Sequence, residues 1–359
     1  MFSCDVVSFG EPLQLNERQT PQPSGSEIIL RVLAAGVCHT DLHVWEGYYD
    51  LGGGRRMNFA DRGLEPPVTL GHEIVGEVVA VGPEAKGVSP GEVRLIYPWI
   101  GCGECAGCVR GNEHLCASAR YLGIFRPGGY ADHVLVPHPR YLIEIGDIPP
   151  AQAAPLACSG LTTYSALTRA GLETLRESPI VIIGAGGLGL MSLSILSALG
   201  GRGAVVVDIS PANRAAALEA GALAAVDARA DDAARQVLEH CGGAVPVVID
   251  FVGAPATVEL GLGLLAKGGQ LTLVGLFGGE LSIALPLMPL RSTSIVGSFV
   301  GSLPALRDLV ALVRTGKVRP LPISECALED ANDALLTLKR GGQVGRIVLR
   351  PKHGACACG

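Results

Sequence analysis

Apolar residues recur along this chain in two rhythms. Up to about residue 155 they form short runs such as EIILRVLAAGVC (27–38), EIVGEVVAVG (73–82), EVRLIYPW (92–99) and YADHVLVP (130–137), separated by glycine and proline turn signals. That spacing predicts a compact β-rich unit. From about residue 160 the rhythm becomes strand, glycine turn, helix: PIVIIGAGG (179–187) leads into GLGLMSLSILSALG (187–200), and GAVVVDIS (203–210) into PANRAAALEAGA (211–222). VPVVIDFVG (245–253) then precedes a helix expected over APATVELGLGLLAKGG (254–269), followed by the strand QLTLVGLFG (270–278). Such alternation predicts a parallel sheet covered on both faces, the doubly wound α/β arrangement. Two amphipathic helices are expected at 303–318 and 328–343, and a last strand, GRIVLRP (345–351), is free to return to the first unit. The glycine-rich stretch LGGGRRMNFADRG (51–63) reads as a loop.

Composition adds bounds. At 359 residues the chain exceeds the size at which a single core stops growing, so two domains are expected, and 48% apolar against 17% charged residues supplies enough surface to bury both. The 28 basic and 34 acidic residues leave no electrostatic footprint for nucleic acid or an anionic membrane, which favours a small-molecule partner. The amino terminus lacks the basic segment and apolar run of a signal peptide, and glycines and polar residues break the apolar stretch 180–199, so neither export nor a membrane span is expected. Eleven cysteines bunched at short spacings favour metal ligation over disulfides, and with it a reducing, cytoplasmic setting.

Four of those thiols, Cys102, Cys105, Cys108 and Cys116, follow the spacing C-x2-C-x2-C-x7-C. Four sulfurs converging on one ion leave no open coordination position, the arrangement of a structural zinc that staples a loop. A second set is scattered: Cys38 in AAGVCHTDLH, His72 and Glu73 in LGHEIVGEV, and Cys158 in APLACSGLTTYSA. Two thiolates and an imidazole form the donor set of a zinc that keeps its fourth position open. The dinucleotide fingerprint is IVIIGAGGLGL, in which Gly184, Gly186 and Gly189 satisfy G-x-G-x-x-G, with Gly187 between them, after a strand and at a helix start. Asp208 ends the next strand, where a carboxylate accepts from ribose hydroxyls and repels a 2′-phosphate, predicting NAD rather than NADP. Arg214 lies about a turn further on, beside the ribose or simply in solvent. His353, Cys356 and Cys358 crowd the carboxyl terminus without an assigned role.

In order along nearly the whole chain, GVCHTD, GHE, the four-cysteine lobe, APLACSGLTTY, GAGGLG and the aspartate after the next strand resemble the zinc-dependent alcohol dehydrogenases of the medium-chain dehydrogenase/reductase superfamily. The resemblance implies a GroES-like catalytic domain from both ends of the chain, residues 1–157 and 299–359, with a Rossmann domain at 158–298. It implies two zinc ions per chain, NAD, an alcohol or carbonyl substrate, and a homotetramer or else a dimer. It makes Cys38, His72 and Cys158 the catalytic ligands, Glu73 an alternative carboxylate ligand, Thr40 and His43 the proton relay, and His39 a pyrophosphate contact. Tyr49, Trp99, Tyr121 and Leu276 then fall near positions lining the alcohol cleft, suited to medium, aromatic or cyclic alcohols. The rivals are a carbonyl or enone reductase of the same fold, and a zinc-stapled nicotinamide-binding regulator without turnover.

Overall fold

The strand Ile28–Val37 organises the first half of the molecule. In this computed structural model, which describes residues 1–341 and 343–352, it pairs antiparallel with Glu73–Val81, His133–Val136 and Arg346–Arg350. Eight of its ten positions are buried and the other two, Arg31 and Leu33, half-buried, which is why the run is apolar apart from Arg31 rather than alternating. Val93–Ile96 and Leu142–Glu144 extend the sheet on one side, and Ile323–Ala327 lies parallel to Arg346–Arg350 on the other. Gly36 stands opposite Glu73 on one neighbour and Val348 on the other, so the register brings residues from both ends of the chain to one point.

The second sheet is wholly parallel, in the order Ala224–Asp227, Ala204–Asp208, Ile180–Ile183, Val245–Asp250, Leu265–Leu273, Ser294–Gly297. Alternate residues of Ile180–Ile183 belong to separate apolar clusters: Ile180 and Ile182 join the large core, whereas Val181 and Ile183 join a smaller one with Val205, Val207 and Val237. Period-two alternation thus fills both faces with helices and produces the doubly wound sheet. The strand order reverses between Ile180–Ile183 and Val245–Asp250, and it is outside the carboxyl ends of strands at such a point that a ligand crevice opens. The large core is shared between the two sheets, running from Leu30 and Val75 to Ile182 and Leu193, with the helix Ser159–Arg169 packed against Gly187–Ala198 and Leu303–Arg314.

Two elements differ from the sequence expectation. The helix expected over 254–269 stops at Leu264, and Leu265–Leu273 is a strand. Pairing with Val245–Asp250, whose register shifts between Val245 and Val247, claims backbone that local pattern assigned to the helix. The segment read as a glycine loop forms a hairpin of Tyr48–Gly52 and Arg55–Asn58, because Gly52, Gly53 and Gly54 all take positive φ and turn the chain back on itself. The two-stranded Phe2–Val6 and Gln14–Glu17 pair, completed by Val68–Thr69, and the edge strand Ser294–Gly297 also went unpredicted. Among the described residues no helix is long and apolar enough to cross a membrane.

Candidate active site

Cys38 follows directly on the strand Ile28–Val37 and caps the helix His39–Glu46. Asp41, one turn into that helix, accepts the Cys38 amide N–H through Oδ2 at 2.9 Å, as the third helical residue of a capping box does. Its Oδ1 takes the Gly71 amide at 3.1 Å and faces His72 Nδ1 at 3.1 Å. Tyr130 donates its hydroxyl to the same carboxylate, and Asp41 is wholly buried. Fixing Nδ1 as the donor leaves Nε2 of His72 as the free lone pair, and this buried Nε2 has no hydrogen-bond partner.

Cys158 arrives from a different region, at the start of the helix Ser159–Arg169, and its Sγ lies 3.9 Å from Cys38 Sγ. The donor atoms of Cys38, His72 and Cys158 all lie within 4.8 Å of one another, and all three residues are buried. With zinc–sulfur bonds of about 2.3 Å, two thiolates of one tetrahedral ion sit about 3.8 Å apart. A buried, unpartnered imidazole nitrogen beside two sulfurs at that separation fits zinc. Hydrogen bonding from Cys158, assisted by His72, holds Cys38 well below the usual thiol range against the effect of burial, while the same contact and burial push Cys158 up.

Glu73 adds a carboxylate to this pocket. Its Oε1 accepts from the Ser159 amide at 3.2 Å and from Arg346 at 2.6 Å, and its Oε2 is buried without a partner. Burial pushes the carboxyl up to about 7 against the pull of Arg346. Space for the side chain depends on Gly36, where an added Cβ would fall 1.9 Å from Glu73 Oε2. Arg346 was invisible to motif reasoning: it opens an ordinary apolar strand, and only pairing of that strand beside Ile28–Val37 carries it to the site.

The same arginine touches the dinucleotide fingerprint, since a Cβ on Gly187 would meet Arg346 Cδ at 2.7 Å. Gly184 takes a φ of +94°, which only glycine adopts without strain, and a Cβ on Gly189 would strike the Gly184 carbonyl at 2.0 Å. Gly186, just ahead of the helix Gly187–Ala198, faces open space, leaving its backbone approachable by a ligand. Asp208 accepts the Ala185 amide at 2.7 Å through Oδ2 and the Ser210 amide at 2.7 Å through Oδ1, so it braces the glycine turn from the neighbouring strand. Asn213 lies against the same carboxylate. Arg214 is neither loose nor solvated: it donates to the Asp208 carbonyl at 2.9 Å and pairs with Asp227 at 3.1 Å.

Around the candidate metal, Trp99 is fully buried, donates to the Ala157 carbonyl at 2.9 Å, and lies 5.3 Å from the His72 ring centroid. Tyr121 and Phe299 pack edge-on against it. Tyr49 lies tilted against His43 with ring centroids 4.7 Å apart, Thr40 is half-buried, and His39 and Leu276 are exposed. In the lobe, the donor atoms of Cys102, Cys105, Cys108 and Cys116 also lie within 4.8 Å of one another, with sulfur separations of 3.5 to 3.9 Å where they touch. Buried Glu113 anchors it, accepting from the Gly101 amide at 3.0 Å and from the Tyr141 hydroxyl at 2.8 Å. His353, Cys356 and Cys358 lie outside the described residues.

Residues 24–147 match the family model for an alcohol dehydrogenase GroES-like domain, and residues 187–315 that for a zinc-binding dehydrogenase. The NAD-dependent alcohol dehydrogenase of Sulfurisphaera tokodaii is 39% identical over 98% of this chain and 100% of its own length. The chain belongs to the zinc-binding alcohol dehydrogenase family. The NAD-dependent alcohol dehydrogenase of Saccharolobus solfataricus shares the same 39% identity, over 98% of this chain and 100% of that protein. Among solved structures, the alcohol dehydrogenase of the archaeon Aeropyrum pernix superposes with a TM-score of 0.88 at 31% identity, covering 98% of this chain and 100% of that one. The family's two parts, a GroES-like β domain and a parallel-sheet Rossmann-type domain, are the two sheets described above.

Proposed function

We propose that this family member transfers hydride between an alcohol and NAD, giving an aldehyde or ketone in a zinc-dependent reaction. The observation that carries the reading is the buried, unpartnered Nε2 of His72 within the Cys38, His72 and Cys158 trio, with Arg346 bonded to neighbouring Glu73 and lying against Gly187 of the glycine turn. These three residues would hold the catalytic zinc, with Glu73 in reserve, and the four lobe cysteines a second, structural one. Bound in the trio, zinc supplies positive charge that makes an alcohol hydroxyl more acidic, and NAD supplies the hydride acceptor.

The chain's own residues supply the rest. Thr40 and His43 stand three apart on the helix His39–Glu46, a spacing that puts them on one face. In this reading the Thr40 hydroxyl accepts the substrate proton as it releases its own, His43 takes up the released proton and yields it to solvent, and burial, with His39 beside it, keeps the His43 ring below its ordinary value and hence neutral and able to accept. Trp99, Tyr121, Tyr49 and Leu276 shape the cleft, dry on the Trp99 side. His39 and Gly184 to Gly189 receive the pyrophosphate, and Asp208, braced by Arg214, takes the adenosine ribose. The division at residues 158 and 298 fits the point where the chain passes between the two sheets.

We extend the proposal to a homo-oligomer, a tetramer or a dimer. The edge strand Ser294–Gly297 has one free side, and Leu285, Leu287 and Leu290 beside it are exposed. The cysteines among the described residues are free thiols, in keeping with a reducing cytoplasm.

A panel of primary, secondary, benzylic and cyclic alcohols followed by NADH absorbance, on protein assayed for metal, tests the reading. Turnover with NAD and about two zinc ions per chain are expected. Nucleotide binding with one zinc and no turnover would instead favour the regulatory reading, and equal rates with NADP would overturn the cofactor assignment.

A further inference from the structure

A continuous aromatic wall leads from the candidate metal to an arginine without a carboxylate partner among the described residues. From His72 it passes to Trp99 at 5.3 Å, to Tyr121 at 5.3 Å, and on to Phe125 at 6.2 Å between ring centroids. The Arg62 guanidinium stands over Phe125, 5.7 Å from the ring centroid. Tyr49 packs between His43 and Phe59 at 4.7 and 5.1 Å. Burial dominates in raising the Tyr49 phenol, with the Cys38 sulfur adding to it and the Arg62 guanidinium working against it. Arg62 acts on Tyr121 in the same sense.

The other arginines on this segment are occupied. Arg55 pairs with Glu280 at 2.6 Å, and Arg56 covers the Tyr48 ring at 3.9 Å. The carboxylate nearest in sequence, Asp61, is taken by Asn58 at 3.1 Å. Arg62 is exposed, and among the described residues its guanidinium has neither an ion pair nor a hydrogen bond, although its backbone N–H donates to the Phe59 carbonyl at 2.9 Å. A guanidinium laid on an aromatic face keeps its N–H fork free, in the plane that suits a carboxylate.

We infer that Arg62 is a specificity-determining residue that selects alcohols whose apolar body carries a carboxylate at the end remote from the hydroxyl. The inference rests on the proposed alcohol oxidation: the hydroxyl end occupies the Cys38, His72 and Cys158 pocket, the apolar body runs along Trp99, Tyr121 and Phe125, and the carboxylate meets Arg62 at the rim. Because that rim is wet, the preference is modest and weakens with salt.

The test compares the zinc-loaded wild-type protein with Arg62→Ala and Arg62→Lys on matched pairs, 8-hydroxyoctanoate against 1-octanol and 12-hydroxydodecanoate against 1-dodecanol. The readout is the charged-to-neutral ratio of kcat/KM, in which any general loss of activity cancels. The ratio is expected to fall about five- to tenfold in Arg62→Ala, the scale of one charge-assisted contact at a wet rim, to fall less in Arg62→Lys, and to shrink in the wild type as salt is added. A ratio equal in wild type and Arg62→Ala overturns the inference. If the wild type oxidises no alcohol, the functional reading fails on its own. Saturable quenching of the fluorescence of Trp45 and Trp99, the chain's two tryptophans, by 12-hydroxydodecanoate then decides: weaker binding in Arg62→Ala supports a carboxylate contact, and equal binding or none overturns it.

Discussion

Arg346, from the last strand, donates to Glu73 Oε1 at 2.6 Å, with 3% and 0% of their side chains exposed. A buried pair of this kind joins the first sheet's metal pocket to the amino end of the helix Gly187–Ala198. Removing one partner leaves a charge stranded in an apolar interior, whereas removing both leaves only polar groups to satisfy. Arg346→Met is therefore expected to cost about 3–5 kcal/mol in urea unfolding, and Glu73→Gln combined with Arg346→Met to cost clearly less. Equal losses for the single and double variants would contradict the pairing.

Asp41 holds His72 through Nδ1. Partners of this kind orient a ligand ring and raise its basicity, and their loss weakens metal binding about 10- to 100-fold. Asp41→Asn should lower zinc affinity on that scale in competition with a chelator, with the circular dichroism of the fold retained.

The lobe depends on four sulfurs with almost no core of their own, Cys108 and Cys116 being its buried members. Cys108→Ser should lose about one zinc equivalent per chain. It should also shorten the half-life at elevated temperature, because a bound ion contributes stability to the segment that ligates it. NAD binding, measured by titration on the intact protein, is expected to persist.

His43 is held below its ordinary value, so the neutral ring that accepts a proton is present above that depressed value and is lost as pH falls through it. The alcohol oxidation rate should drop on the acid side with that ionisation. His43→Ala should reduce kcat by about 10² and abolish that limb of the profile. An unchanged pH–rate profile would remove His43 from the relay.

Asp208 places a carboxylate where a 2′-phosphate would bring like charge, while its oxygens hold the Ala185 and Ser210 amides. Asp208→Asn keeps an acceptor and removes the charge. The ratio of kcat/KM for NAD to that for NADP is expected to fall about tenfold, equivalent to about 1.4 kcal/mol.

The legible parts of this protein were those in which chemistry sits in a short window. Cys102, Cys105, Cys108 and Cys116 are close enough in sequence that any compact turn brings their sulfurs together, and Gly184, Gly186 and Gly189 report a backbone demand that spacing alone expresses. The doubly wound sheet was legible for a related reason: a strand buried on both faces must be apolar throughout, as Ile180–Ile183 is. The β-rich first unit announced itself through its runs, but its hairpin at Tyr48–Asn58 did not, because exposed short strands carry no apolar signal.

Local order therefore fixed which elements form and which residue types are on offer. Long-range pairing decided which of them meet. Cys38 and Cys158 are 120 residues apart and Glu73 and Arg346 are 273 apart, and nothing in either neighbourhood encodes the other. Their meeting follows from Gly36 lying opposite both Glu73 and Val348, and from a shared core in which the helix after Cys158 packs against the helices Gly187–Ala198 and Leu303–Arg314. The free energy that selects those contacts is the burial of apolar surface summed over the whole molecule, so it cannot be read from any one stretch of chain.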